Sequence, residues 1–353
     1  MQDNMETMQL LQVRSHETTQ YKRNKNLEYA TNTIDITPLL EKKVKKSNSN
    51  RFIEANTLEV DFHHLKNECV VPVFSKDNEI TISHPSFIET IWEAAHKLFP
   101  SESFLEPDIR VSHIIKGRTP QAVNKPANQL LESDKTIYYE RMAFCFEIES
   151  IYKEIEGSRL NLSIGGVRAY NHENLYSKKG VEKFKVFIGF KNLVCCNLCV
   201  STDGYNTEIK AMSTADLFKA VTTLFQNYNP LAHLHLMESF KDTFMTEHQF
   251  AQLIGKSKLY QCLPAGQKKL LPTIEFTDTH INAVARSYYH DENFCVNEGA
   301  EMISLWNVYN LFTTANKNSY IDKVLDRAQN ATELITGLDK ALHGENGYSW
   351  FIE

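Results

Sequence analysis

The chain has 353 residues, of which 42% are hydrophobic and 23% charged, and its formal net charge is −6. This composition is typical of a globular protein that buries a substantial core in one large domain or two ordinary ones. The sequence has no run of about eighteen apolar residues, which argues against a membrane-spanning helix. Its seven cysteines, an odd number without a secretory signal ahead of them, favour reduced thiols and a cytoplasmic protein.

Residues 1–50 are predicted to form a disordered basic arm, because they are polar, poor in aromatic residues and end in Ser-Asn-Ser-Asn. A short helix is expected around Pro38 to Val44. From Gln20 to Arg51 there are eight basic and three acidic residues, so this stretch carries 8 − 3 = +5 and the rest of the chain −6 − 5 = −11. A basic arm on an acidic body is common in nucleic-acid-associated proteins and equally common as a solvated tail.

The first half of the body reads as one helix followed by strands. Pro85 to Phe99 has apolar residues at helical spacing and a proline at its start. Pro100 to Ser133 is interrupted by prolines and is predicted to be irregular. Alternating or continuous apolar runs with glycines at their joints then predict four strands: Tyr138–Ile151, Leu160–Ala169, Lys183–Phe190 and Val194–Thr202.

After Met212 the apolar period becomes helical. Ser213 with Asp216, and Thr246 with Gln249, have the spacing of helix N-terminal caps, and Gly255 is expected to end the second of these helices. Trp306 is expected in the core. Strands followed by helices predict an α+β fold, a mostly antiparallel sheet with a helical C-terminal layer. We therefore expect a single domain at 51–353, β-rich over about 51–212 and helix-rich over about 213–353. Four further helices are predicted at Pro230–Phe244, Thr277–Tyr289, Ala300–Ala315 and Tyr320–Leu342.

Two patterns imitate ligand-binding motifs without completing them. Cys195, Cys196 and Cys199 invite a zinc site, but no second pair of ligands follows, and on a strand Cys196 and Cys199 would point to opposite faces. Gly255-Lys256-Ser257 resembles the end of a phosphate-binding loop, but position 250 is Phe and a helix precedes it. Gly165-Gly166 is expected to be a turn or bulge. We expect neither a metal nor another cofactor.

No spacing in the sequence distinguishes a catalytic site. The nucleophile and metalloprotease signatures are missing from the sequence, and Glu140-Arg141 beside Tyr138 reads more readily as an architectural ion pair than as catalytic groups. The sequence therefore favours a protein that is not an enzyme.

Basic and aromatic residues suggest contacts with nucleic acid. Cations that follow phosphates, with aromatic rings that stack on bases, hold single strands with little sequence preference. A tyrosine-rich loop on a solvated edge remains the plainer interpretation, and Asn310, Asn316, Lys317, Asn318 and Tyr320 between the last two helices are explained by helix capping. The candidate contacts are Lys42, Lys43, Lys45 and Lys46 in the arm, Lys116 and Arg118 in the proline-marked stretch, and Arg168, Tyr170, Tyr176, Lys178 and Lys179 after a strand.

Four stretches carry a family resemblance: Gly117–Pro120 (GRTP), Tyr138–Phe144 (YYERMAF), Phe184–Cys199 (FKVFIGFKNLVCCNLC) and Leu305–Arg327 (LWNVYNLFTTANKNSYIDKVLDR). From about Arg110 to the C-terminus the chain resembles a family of bacterial proteins known only as a domain of unknown function. The resemblance implies an association with mobile elements and kinship to a set of phage- or plasmid-like proteins, and it implies no activity, ligand or catalytic residue.

The favoured hypothesis is a non-catalytic mobile-element accessory protein that binds single-stranded nucleic acid. The alternative is an interaction protein that binds a host or element-encoded protein, for example in counter-defence. An enzyme acting on nucleic acid is the third possibility. None of these hypotheses includes a membrane.

Overall fold

The computed structural model describes residues 51–71, 81–122, 124–172, 180–297 and 299–353. The predicted arm and its short helix lie outside these ranges. The described strands are β1 (Leu58–Glu59), β2 (Asp108–Arg118), β3 (Lys135–Ile155), β4 (Ser158–Ala169), β5 (Glu182–Asn192), β6 (Leu198–Cys199), β7 (Tyr205–Ala211), β8 (Phe244–Thr246) and β9 (Met302–Ser304). The described helices are α1 (Phe62–Asn67), α2 (His84–Leu98), α3 (Thr214–Asn227), α4 (Pro230–Ser239), α5 (Glu247–Cys262), α6 (Ala265–Lys268), α7 (Asp278–His290), α8 (Leu305–Asn316) and α9 (Val324–Leu342).

The main sheet is antiparallel and its strands follow the order β1-β2-β3-β4-β5-β6, with β7 also paired to β5. Short connections between neighbouring strands produce this arrangement, since β3 and β4 are separated by only Glu156 and Gly157, both with positive φ. Strands β8 and β9 form a separate two-stranded sheet. The protein is thus α+β, with the sheet first and a helical layer at the C-terminal end, as the sequence predicts.

One face of the sheet carries large apolar side chains and packs against α2. Phe87 of α2 lies edge-on to Phe144 of β3, with ring centroids 5.3 Å apart, and is 4.9 Å from Phe184 of β5. The helix comes so close that a Cβ at Gly166 would lie 2.6 Å from the Phe87 ring. The expected turn or bulge at Gly165-Gly166 is therefore wrong: both glycines lie inside β4, where a Cβ at Gly165 would clash with Phe144 O and the Phe187 ring on the other face.

The opposite face of the sheet packs against the beginning of α9. Ala143, Val167 and Phe187 form a buried cluster with Val324 and Leu325 of that helix. Hydrogen bonds reinforce the contact, because Lys185 Nζ donates to Asp326 Oδ2 at 2.7 Å. These contacts attach the helical C-terminal layer to the sheet. They join residues that are more than a hundred positions apart in the sequence.

Local spacing predicts the beginnings of the helices better than their ends. Ser213 Oγ accepts from the backbone N–H of Asp216, and Thr246 forms a reciprocal capping box with Gln249, so both predicted caps are confirmed. The predicted stop at Gly255 is wrong, since α5 continues to Cys262. Gly255 is exposed in the middle of the helix, and nothing lies within 4 Å of where its Cβ would be.

Strands are missed where charged residues occupy buried positions. The stretch predicted to be irregular contains β2, in which Arg110 is buried and bonded to Asp108 and Glu59. Because these two carboxylates neutralise Arg110, its charge breaks the apolar alternation without preventing its burial. The predicted strand Val194–Thr202 is also corrected, since only Leu198–Cys199 is extended. Strand β7 was not predicted at all.

The C-terminal layer is built around α8, which is buried on most of its surface. Trp306 is 1% exposed and packs with Tyr309, which in turn packs with Phe240, so its predicted place in the core is confirmed. The predicted helix Ala300–Ala315 begins five residues too early, because Met302–Ser304 pairs with β8 and the helix starts at Leu305. Each helix in the described ranges is too short or too polar to cross a membrane.

Candidate functional site

Strands β2 and β3 continue as a ribbon beyond the end of β4, where a bridge from Cys69 to Ile137 touches the other edge of β3. The last β3–β4 pair is Arg141 with Ala169, whereas the β2–β3 pairs run on to Arg118 with Lys135. Cross-strand partners and alternate residues share a face. Lys116, Arg118 and Lys135 therefore lie on one face of the ribbon, which we call the ribbon face, beside Ile114.

The ribbon face is the more exposed side of the ribbon. Lys116 and Lys135 are exposed and Arg118 is half-buried. The Arg118 guanidinium donates to the backbone carbonyl of Lys125 at 2.6 Å, and Lys125 Nζ pairs with Asp134 at 2.8 Å. Of the two predicted contacts in this stretch, Lys116 can reach a ligand directly, while Arg118 also holds the connecting loop.

Arg168 and Tyr170 are each 1% exposed, which corrects their prediction as contacts with nucleic acid. The Arg168 side chain forms an ion pair with Glu182 and donates to the carbonyl of Ile82. Its guanidinium lies 4.7 Å from the centroid of the Tyr170 ring. The His84 ring stacks on the same tyrosine, with the ring centroids 4.4 Å apart. Both side chains support the attachment of α2 to the sheet, and neither presents a surface to a nucleic acid strand. The sequence could not show this, because the neutralising carboxylate comes from the next strand.

Seven predicted contacts cannot be placed relative to the ribbon. They lie outside the described residues and comprise Lys42, Lys43, Lys45 and Lys46 in the arm and Tyr176, Lys178 and Lys179 between β4 and β5.

A serine and a histidine meet at the connection between α8 and α9. Ser319 Oγ is 3.1 Å from His280 Nε2, and it donates to Asn316 Oδ1 at 2.8 Å. The backbone N–H of Thr277 donates to His280 Nδ1, so the proton of the neutral ring is on Nε2. His280 therefore donates to Ser319, and it cannot take the proton of that hydroxyl as a general base would. The arrangement is a structural network that closes the cap of α7.

The cysteines and the charged pair at the start of β3 also have structural surroundings. Cys196 occupies a tight turn with a φ of 56°, and Cys199 is fully buried on β6, where burial raises the pKa of its thiol to about 12. Within the described ranges, no three His, Cys, Asp or Glu side chains are grouped so that they could hold a metal ion. Arg141 lies 3.6 Å from Glu140 and 3.3 Å from Asp322, so it joins β3 to the chain entering α9.

Two of the stretches that carry the family resemblance meet in the interior. Asn192 Nδ2 donates to Asn310 Oδ1 at 3.1 Å, and Asn197 Nδ2 donates to Asn310 O and to Thr313 Oγ1. All four residues are at most 2% exposed. Buried amide networks of this kind specify one packing arrangement, because an unpaired member would be costly. These distinctive residues therefore define the fold rather than a surface for a ligand.

A cleft of about 740 Å³ lies between the β6–β7 turn, α4, α9 and the C-terminal segment. Ser201 and Asp203 line it from the turn, His233 from α4, and Glu333 from α9. Ser201 Oγ donates to Asp203 at 2.6 Å, and His233 Nδ1 is bonded to Tyr228. The serine is bonded to the aspartate and the histidine to a tyrosine, so the three do not form a catalytic triad. No local sequence pattern indicates this cleft, since its residues come from four separated segments.

The geometry defines an α+β protein with a cationic strand ribbon and an open cleft at the C-terminal layer. The chain belongs to the family described as "Domain of unknown function, B. Theta Gene description (DUF3871)", which matches residues 33–352. No curated protein and no solved structure matches the chain.

Proposed function

We propose that the protein is a non-catalytic accessory protein of a mobile element and that it binds single-stranded nucleic acid. The ribbon face and the lysines at positions 42, 43, 45 and 46 contact the phosphates. The mobile-element part of the proposal rests on the sequence resemblance alone. The nucleic-acid part rests on the charge of the arm and on the ribbon.

The observation that carries the proposal is the alignment of Lys116, Arg118 and Lys135 on one exposed face. Lys116 and Arg118 are alternate residues of β2, about 6.8 Å apart, and Lys135 lies opposite Arg118 on β3, so the three cations form a cluster rather than scattered charges. Lys135 pairs with Glu132, whose side chain is 89% exposed. Such a solvated ion pair contributes little, and a phosphate can replace the carboxylate at small cost. Two-stranded ribbons are an established way for proteins to contact nucleic acid.

The non-catalytic part of the proposal is supported by the protonation of His280 beside the Ser319 hydroxyl. His280 holds its proton on the nitrogen that faces Ser319, as the contact from the Thr277 backbone requires. In the cleft, Ser201 donates to Asp203 and not to His233. Neither hydroxyl has the base that nucleophilic catalysis needs.

The first prediction concerns the ribbon face. Replacing Lys116 and Lys135 together with Ala should weaken binding of a fluorescein-labelled oligothymidylate, because two phosphate contacts are lost. The slope of log affinity against log salt should become less steep by about 0.7 for each contact removed. Fluorescence anisotropy at several salt concentrations measures both quantities.

The matched control is Lys219→Ala, which removes an exposed cation of α3 far along the chain from the ribbon. This variant should bind like the unchanged protein. An equal loss of affinity in the control and in the ribbon variant would contradict the assignment of the ribbon face. Absence of binding by the unchanged protein at low salt would overturn the function itself and favour a protein partner.

A further inference from the structure

The cleft between the β6–β7 turn, α4, α9 and the C-terminal segment has walls of unequal chemistry. One wall is apolar, formed by Ala232 and Leu236 of α4. The aromatic ring of Tyr348 closes another side, where it packs on Gly337 of α9. Its volume of about 740 Å³ exceeds that of a single water site many times over. The cleft can therefore take an extended small molecule with an apolar middle.

The charged side chains around the cleft are mostly acidic. Asp203, Glu333 and Glu345 line it, opposed by Lys340 alone, so the lining carries −3 + 1 = −2 at neutral pH. Asp203 is held in place, since its carboxylate accepts from Ser201 Oγ at 2.6 Å and from the backbone N–H of Asn229 at 2.9 Å. A fixed carboxylate in the lining of a cleft attracts cations and repels anions.

His233 supplies an observation independent of these carboxylates. It forms part of the cleft wall and is 2% exposed, yet its Nε2 has no hydrogen-bond partner among the described residues. A buried ring nitrogen without a partner costs free energy that a ligand can recover. Its other nitrogen, Nδ1, is 2.9 Å from Tyr228 Oη. When Nδ1 donates to that hydroxyl, Nε2 holds a lone pair that can accept from an N–H group.

The imidazole does not oppose a cationic ligand. Burial lowers the pKa of His233 to about 4, although the carboxylate of Asp203 raises it, so the ring is neutral at physiological pH. The Tyr348 ring adds a favourable contact, because the face of an aromatic ring attracts a cation. Carboxylates, a neutral acceptor and an aromatic face together favour an organic cation over a sugar, an anion or an apolar ligand.

We propose that this cleft binds a linear polyamine, with ammonium groups at Glu333, Glu345 and His233 Nε2 and with methylene groups against Leu236 and Tyr348. A polyamine matches the lining in charge, since at least two positive groups are needed to balance −2. It also matches the apolar middle of the cleft. This site is separate from the ribbon face, and it does not depend on the binding of nucleic acid.

Isothermal titration of the full chain with spermidine tests the proposal. The unchanged protein should release or absorb heat with saturable one-to-one binding. Glu333→Gln should lower the affinity about tenfold or more, because it removes a charged hydrogen-bond acceptor. The amide still accepts from Thr202 and Gln329, which are the present partners of the carboxylate. The matched control is Glu154→Gln, an exposed carboxylate of β3 outside the cleft, which should leave the affinity unchanged.

A second variant isolates the unpartnered nitrogen. In His233→Asn the amide takes the position of Nδ1 and can keep the bond to Tyr228, while Nε2 is removed. The affinity for spermidine should fall about threefold to tenfold, as the loss of one hydrogen bond predicts. If this variant does not fold, Glu333→Gln alone decides the outcome.

Two neutral or anionic probes complete the experiment. Triethylene glycol, of similar length but uncharged, and glutarate, a dianion, should give no saturable heat. Equal binding of either probe would overturn the proposal, as would equal losses in Glu333→Gln and Glu154→Gln. A complete lack of spermidine binding at millimolar concentration would overturn it as well.

Discussion

At the scale of single residues, the interior holds histidines that the fold keeps uncharged. Burial, reinforced by the Arg168 guanidinium, lowers the pKa of His84 to about 3. Burial and the nearby Arg327 lower the pKa of His280 to about 4. Each of these rings takes up a proton more readily in the unfolded chain, where its pKa is near 6.5. Acid therefore favours unfolding through these side chains.

The free energy of unfolding should therefore depend on pH through the protonation of these histidines. A folded-state pKa below the unfolded value gives stability that is fully present above about pH 6.5 and is lost as the pH falls toward 4. For His280 the loss should be at most about 3 kcal/mol, since one pKa unit corresponds to about 1.4 kcal/mol. Urea unfolding of the unchanged protein and of His280→Gln between pH 7 and pH 4 measures the difference.

His280→Gln is a suitable partner for this comparison, because His280 occupies the position of α7 where Gln or Glu completes a capping box with Thr277. The glutamine can accept from the Thr277 backbone without titrating. The variant should lose less stability than the unchanged protein over this pH range. Identical pH profiles would show that His280 is not buried in its neutral form.

At the scale of elements, local rules account for caps but not for the pairing of charges. The caps at Ser213 and Thr246 depend only on residues three positions apart, and their prediction is confirmed. Strand β2 and the burial of Arg168 depend on carboxylates elsewhere in the fold, namely those of Glu59 and Glu182. A single sequence does not show which cation pairs with which carboxylate, so neither strand β2 nor the burial of Arg168 is predicted from it.

Two glycines inside helices show how the effect of one substitution on stability depends on the surrounding fold. Gly337 of α9 lies under Tyr348, where an added Cβ would be 2.1 Å from the ring, whereas Gly255 of α5 faces open space. Gly255→Ala should raise the free energy of unfolding by about 0.5–1 kcal/mol through helix propensity. Gly337→Ala should lower it by about 1–3 kcal/mol, because the aromatic ring must move. Denaturant unfolding of the two variants checks the signs, and stabilisation by both would contradict the close packing of Tyr348.

The same two glycine variants also test the candidate cleft, because Gly337 lines it and Gly255 does not. Moving Tyr348 removes one wall of the cleft, so Gly337→Ala should also weaken spermidine binding. Gly255→Ala, which changes a different helix, should not. The fold of the C-terminal segment and the shape of the cleft are therefore linked through one residue without a side chain.

At the scale of the whole molecule, charge is divided between the N-terminal stretch and the remainder. The stretch from Gln20 to Arg51 carries +5 and the rest −11, by the counts given above. Within the described ranges many cations are paired with carboxylates, among them Lys66 with Glu89 and Lys185 with Asp326. The ribbon face is where three cations align, and an acidic body elsewhere would repel nucleic acid from other surfaces. Binding of nucleic acid should therefore depend on the few lysines of the ribbon face and the N-terminal stretch.

The measurement that tests the proposed function most directly is the salt dependence of single-stranded DNA binding by the full chain. Replacing Lys42, Lys43, Lys45 and Lys46 with Ala should reduce the steepness of log affinity against log salt by up to about 2.8, which is four contacts at about 0.7 each. The DNA should remain intact with and without added magnesium. A slope unchanged by the four substitutions, or cleavage of the DNA, would contradict the account of a non-catalytic nucleic-acid-binding protein.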